Sequence, residues 1–303
     1  FCTVLKMGGT VLAEQLMPYK IVTDSNADLV PGYAADHDIL EMELTYTLAG
    51  KTYRCNDPAL SRPDFYSRMR AGEMPLTAQI NLEEAKELLT PYLAQGRDLL
   101  CIMFSSALSG TYNSTRLAAE ELRARFPERK ILVLDSLAAS AGQGMLVARA
   151  VENQERGLSL EENAAAIRED IPHLAHLFTV DDLNHLRRGG RVSATAAIMG
   201  TMLGIKPLLH VDDQGRLIPT GKVRGRRQSL LRLVDGMAEQ MDPQHCDRFA
   251  LSHGDCLEDA QFVADQVKKR FGIRNYTISY VGPTIGAHSG PGTVALFFYA
   301  KRR

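Results

Sequence analysis

Leu99-Leu100-Cys101-Ile102-Met103-Phe104 is an unbroken apolar run of strand length, and Ser105-Ser106 stops it abruptly. A strand without a polar face has no side to turn to water, so it must be covered on both faces. Similar segments stand on either side. Lys20-Ile21-Val22-Thr23 reads as a short strand ended by the turn and cap residues Asp24-Ser25-Asn26. Ile131-Leu132-Val133-Leu134 is another, cut by Asp135-Ser136. A helix follows each of the two later strands. One starts at about Asn113, where Ala118, Leu122 and Phe126 recur at helical spacing; the other runs through small residues to Ala150. Strand, polar turn and helix in repetition predict a parallel sheet with helices on its faces.

The second half has a different pattern. His176 to Val180 reads as a strand, Asp181 to Arg188 as a short helix, Gly189-Gly190 as a break, and Thr195 to Leu203 as a second helix. Pro207 to Val211 and Arg216 to Ile218, joined by Asp212-Asp213-Gln214-Gly215, predict a β-hairpin. Gln228 to Met237 is helical, and Ala260, Val263, Val267 and Phe271 line one face of a further helix. Phe249 to Leu251, Ile278 to Val281 and Val294 to Tyr299 are strands. The expected architecture is α/β with two domains. Residues 1–19 form an extension, 20–173 a parallel-sheet domain with a hydroxyl-rich ligand loop, and 174–303 a smaller α+β domain with a mixed sheet. The boundary is set near Ile171-Pro172, and a length of 303 residues agrees with two domains.

Composition excludes several classes. Lys+Arg is 35 against Asp+Glu 36, so the chain lacks the positive field of a dedicated nucleic-acid binder. Trp is absent and aromatics are 7%, which leaves little for a base-stacking platform. No apolar run approaches the ~18 residues of a membrane span, so stable membrane insertion is not expected. Phe1 is not a start methionine, which reads as a fragment or a displaced start. Lys6 and Glu14 interrupt residues 1–19, which therefore lack a signal-peptide core. The expected location is cytoplasmic. Cys2, Cys55, Cys101, Cys246 and Cys256 show no metal spacing and read as buried or incidental thiols. Asp135, Asp181, Asp182, Asp212 and Asp213 read as turn and cap residues, and neither a metal nor a cofactor is expected.

Three segments could carry chemistry. Ser105, Ser106 and Ser109, with Gly110 and Thr111, lie between a buried strand and a helix, where open α/β sheets bind ligands and helix N-termini attract anions. Simple helix capping explains the same hydroxyls. No GxxxxGK[ST], GxGxxG or GxSxG occurs, so the loop is neither a phosphate loop, a dinucleotide fingerprint nor a nucleophile elbow. The serines suit hydrogen-bond donation better than attack. Gly282 to Gly292 surrounds His288 with glycines that permit close backbone approach, although by spacing alone a plain Gly-Pro loop between strands is the better reading. Arg187-Arg188-Gly189-Gly190-Arg191 and Arg224 to Arg227 are basic; Arg191 suits a carboxylate, a phosphate or an acidic partner. Thr77 by itself marks the approach to a helix starting near Leu82.

Taken in order, Val22-Thr23-Asp24-Ser25, Thr77-Ala78-Gln79, Ser105 to Tyr112, Leu134-Asp135-Ser136, Gly189-Gly190-Arg191-Val192, the Lys222-Val223-Arg224 region and His288-Ser289-Gly290-Pro291-Gly292 resemble the DegV family of fatty-acid-binding proteins. The resemblance runs from about Tyr19 to the C-terminus. It implies a long-chain fatty acid between two domains, its carboxylate held by Thr77, by the serines of the 105–109 loop and by His288. It also implies an acyl carrier that presents the acid to a separate ATP-using fatty acid kinase subunit, with no catalysis of its own. Arg191 and Arg224 to Arg227 would then dock that partner or lie near the transferred phosphate. One departure is local: the family's Thr-Ser-Gln-Pro stands here as Thr77-Ala78-Gln79-Ile80. A buried chain of about sixteen carbons gains on the order of 10 kcal/mol gross, at ~0.8 kcal/mol per methylene. Its carboxylate needs donors to offset desolvation. Ile198, Met199, Met202, Leu203 and Ile205 are candidate tunnel lining or core. Two other classes remain in view: a serine hydrolase pairing a 105–109 serine with His288, and a DNA-binding regulator using residues 187–202.

Overall fold

The computed structural model describes residues 19–193 and 204–303. Residues 1–18 of the expected extension lie outside the described residues. So do the helix expected at Thr195–Leu203 and the lining candidates Ile198, Met199, Met202 and Leu203. Tyr19 opens a strand rather than closing an extension.

The first sheet is parallel, with strands β1 (Tyr19–Asp24), β2 (Ile39–Met42), β6 (Asp98–Met103) and β7 (Ile131–Asp135) in the order β2-β1-β6-β7. Alternate side chains of β6 serve two different cores, as the two-residue strand period requires. Leu99, Cys101 and Met103 pack with helices Leu82–Ala94 and Thr111–Arg125. Leu100 and Ile102 pack on the other side with helices Ala141–Glu155 and Leu160–Asp170. Double coverage is why this strand reads as an unbroken apolar run.

Beyond helix Ala141–Glu155 stands a mixed six-stranded sheet of β8 (Leu174–Thr179), β9 (Ile205–Val211), β10 (Leu217–Arg224), β11 (Arg248–His253), β12 (Asn275–Tyr280) and β13 (Val294–Tyr299), in the order β10-β9-β8-β13-β11-β12. The chain enters it at Leu174 through a short 3-10 turn, Ile171–His173. No strand is shared between the two sheets, yet one apolar core runs from Ile21 and Leu100 through Leu146 to Leu296 and Phe297.

Two elements differ from the sequence reading. A small antiparallel sheet, β4 (Lys51–Arg54), β3 (Thr45–Leu48) and β5 (Leu76–Ala78), packs with helix Arg62–Arg70 around Tyr46, Phe65 and Tyr66. These strands are too short to leave a periodic trace. The segment expected as a Gly-Pro loop is instead a helix, Pro283–Ser289. Proline at its start is pre-set for helical φ, and Gly290 at φ 82° stops it. Tyr66 donates to the Val281 carbonyl at 2.7 Å, holding the small sheet's helix against the approach to this one.

Candidate functional site

The β6 strand ends in a tight loop. The Leu108 and Ser109 amides both donate to the Ser105 carbonyl, at 3.0 and 3.1 Å. That turn aims the serines differently. Ser105 points its hydroxyl at the Gly215 carbonyl in the hairpin tip, 2.9 Å away, and is fully buried there. The Ser106 amide donates to the Asp135 carboxylate. Neither Ser105 nor Ser106 stands on the cavity described next, whereas Ser109 does. The three-serine expectation thus narrows to one, because the turn commits Ser105 to the neighbouring hairpin. The Ser109 and Thr111 hydroxyls lie 3.0 Å apart.

A cavity of about 380 Å³ lies between the two large sheets and the Pro283–Ser289 helix, and its wall includes Thr77, Ser109, Arg191 and His288. That size falls in the usual range for small-molecule sites, ~300–1,000 Å³. Phe104, Leu108, Phe178, Leu186, Ile285 and Phe297 supply apolar wall. Thr77 comes from the short edge strand β5 and His288 from the last turn of its helix; Thr77 Oγ1 and His288 Nε2 meet at 2.9 Å. The imidazole fits only because residue 189 is glycine: a Cβ there would come within 2.1 Å of His288 Nδ1. Burial, and then the Arg191 charge, lower the His288 pKa to about 4. The ring is therefore neutral near pH 7 and can donate one hydrogen bond while accepting another.

Arg191, expected to dock a partner or to lie near the transferred phosphate, stands on the cavity wall, half-buried, with Nε donating to the Leu108 carbonyl at 3.2 Å and Nη1 donating to the Gly189 carbonyl. Among the described residues no carboxylate lies within ion-pair distance of it. Burial lowers its pKa, but guanidinium stays charged. A charged guanidinium, a neutral imidazole and two hydroxyls around one end of an apolar hollow suit an organic anion with a hydrophobic body. No serine of the 105–109 loop is hydrogen-bonded to His288, whose Nε2 faces Thr77. Arg187 and Arg188 are exposed, and residues 194–202 of the DNA-binding reading lie outside the described residues.

Sequence reasoning missed several polar wall residues, three of them serines. Ser289 follows His288, is 5% exposed, and its hydroxyl has no partner among the described residues. Ser140 and Ser252 stand on the wall with their hydroxyls 2.8 Å apart. The only available signal was the position of Ser140 after strand β7; nothing in the pattern marks Ser252. Behind Ser140 lies Asp28, hydrogen-bonded by Ser140 Oγ and by the Gly282 amide at 2.8 Å.

Burial raises the Asp28 carboxyl to about 7, against the opposing pull of Arg62, Ser140 and Gly282. The native state thus keeps a proton that the unfolded chain has lost above its usual 3.8. Stability from this group is complete below that value and is lost as the pH rises through about 7. Asp28→Asn should gain on wild type in denaturation midpoint as the pH rises from about 4 to about 7. Parallel midpoint curves for the two proteins would refute it. Asp24, raised to about 6 by burial, acts in the same direction but is present in both proteins.

Comparison with known proteins agrees with this architecture. The family model described as "Uncharacterised protein, DegV family" matches residues 18–301. A DegV domain-containing protein of Clostridium perfringens is 40% identical over 281 residues, covering 92% of this chain and 97% of its own length. A Thermus thermophilus structure titled as fatty acid binding of a DegV family protein superposes with a TM-score of 0.81 at 29% identity, covering 94% of this chain and 100% of that one. A Bacillus subtilis structure, described as DegV, a fatty acid binding protein, gives 0.80 at 28% identity with the same coverage. With nearly its whole length matched in sequence and in fold, this chain belongs to the DegV family.

Proposed function

We propose that this protein binds one long-chain fatty acid in the cavity between its sheets and presents it to a separate ATP-using kinase subunit. Thr77, Ser109, His288 and Arg191 hold the carboxylate, and the apolar wall takes the chain. The observation that carries the reading is Arg191, a half-buried cation on the wall of an apolar hollow with no acidic partner among the described residues. Fatty acid binding by the related Thermus and Bacillus proteins supports it. Each charge-assisted hydrogen bond to the carboxylate contributes roughly 1.5–3 kcal/mol, enough to offset its desolvation when several converge.

The protein acts as carrier, not catalyst. In the partnered reaction a carboxylate oxygen attacks the γ-phosphorus of ATP, the bond to ADP breaks, and an acyl phosphate forms. In this reading the nucleotide site belongs to the partner; this chain carries no phosphate-loop motif. Such a partner places the protein in the cytoplasm. Among the described residues no helix is long and apolar enough to cross a membrane.

The test is solvent extraction and mass spectrometry of the purified protein, followed by titration with a long-chain fatty acid. A co-purifying acyl chain, or stoichiometric uptake of added acid, is expected. Thr77→Ala and His288→Ala should each weaken binding by about tenfold, the equivalent of one hydrogen bond to a charged group. A protein that neither carries nor takes up any acyl chain would dispose of the reading.

A further inference from the structure

The cavity has a second polar region that the carboxylate does not use. Ser140 is 4% exposed, Ser252 is fully buried, and both stand on the wall. Ser140 Oγ lies within hydrogen-bond distance of both Asp28 Oδ2 and Ser252 Oγ. One hydroxyl carries one proton. With Asp28 ionised, Ser140 donates to the carboxylate and Ser252 to Ser140; with Asp28 protonated, Asp28 donates to Ser140 and Ser140 to Ser252, and in both arrangements the Ser252 oxygen keeps a lone pair that can accept. The chain of hydrogen bonds therefore ends on the wall as an acceptor.

The Ser289 hydroxyl adds the complementary half. It is buried on the same wall without a partner among the described residues and is free to donate or accept. Thr293 ties it to the strands that carry Ser252: Thr293 Oγ1 donates to the Ser289 carbonyl at 3.1 Å, and the Gly254 amide donates to the Thr293 carbonyl at 2.8 Å. A plain methylene chain passing these groups gives them nothing to bond. A second carboxylate is the poorer fit: with Asp28 ionised behind the network the two anions repel each other unless Asp28 takes up a proton. What fits is a neutral group that both donates and accepts.

From these contacts we infer that the preferred ligand is a hydroxylated long-chain fatty acid, its chain hydroxyl donating to Ser252 and accepting from Ser289. This deepens the carrier reading and rests on it. The experiment is competitive binding of stearic acid and its mid-chain and terminal hydroxy derivatives to the full chain, in wild type, Ser252→Ala and Ser289→Ala. The readout is the ratio of the two affinities, which cancels any general weakening. At least one hydroxy isomer should bind about tenfold more tightly than stearic acid, and the ratio should fall toward one in either variant. If no isomer outcompetes stearic acid, or if the preference survives in both variants, the inference fails while the carrier reading stands. If neither stearic acid nor any derivative binds, both fall together. Circular dichroism of each variant checks folding, and either variant alone suffices for the ratio.

Discussion

Arg191→Met should weaken long-chain fatty-acid binding by roughly 10- to 100-fold, the value of one to two charge-assisted hydrogen bonds to a carboxylate. Methionine keeps an unbranched apolar stem of similar reach while removing the charge. The guanidinium is held by the Leu108 and Gly189 carbonyls, and this pre-orders it before any ligand arrives. Removing it leaves the anion with neutral donors alone. The same substitution has a spectroscopic signature. Arg191 is the second cause, after burial, of the low His288 pKa, so the imidazole should titrate above about 4 in the variant while burial keeps it below the usual 6.5. Unchanged affinity together with lost kinase-coupled phosphorylation would move Arg191 from the ligand to the partner and remove the central support of the carrier reading.

Phe298→Ala should destabilise the protein by about 3–5 kcal/mol, the usual range for emptying a buried aromatic site. Phe298 is fully buried in β13, a central strand, where it pairs with Ala175 on one side and Phe249 on the other. Sheet neighbours on both sides are hydrogen-bonded in place, which limits how far the wall can collapse into the space left behind. Phe298 is not on the cavity wall, so the variant should bind the ligand normally below its unfolding transition. Urea denaturation at fixed ligand-free conditions measures the loss; a change below about 1 kcal/mol would mean that the site closes up far better than this packing allows.

Much of the fold was legible because it is local. The strands at Lys20, Leu99 and Ile131 carry an apolar run and a polar stop, and the helices after them carry a periodic face. The hairpin around Asp212 to Gly215 carries its own turn residues. The small sheet containing β3, β4 and β5 was not legible. Its strands are short, and Thr77 gains meaning only from Tyr46 beside it and His288 beyond it. The helix at Pro283 was hidden because it is short and set among the flanking glycines Gly282, Gly290 and Gly292, although its proline start and Gly290 stop are proper helix signals.

The chain's own order of residues determined which segments would be strands, which loops would hold hydroxyls and which family pattern they form. Those properties depend on neighbours a few positions apart. Only the tertiary structure decided which hydroxyls matter. Thr77 and His288 are 211 positions apart and meet at 2.9 Å. Ser105 is drawn off by a carbonyl 110 positions away, leaving Ser109 on the wall. Ser252, unmarked by any pattern, joins Ser140 across 112 positions. The direction of a side chain at the end of a strand is set by the turn it sits in and by the distant group that claims it, and neither is written in the local sequence.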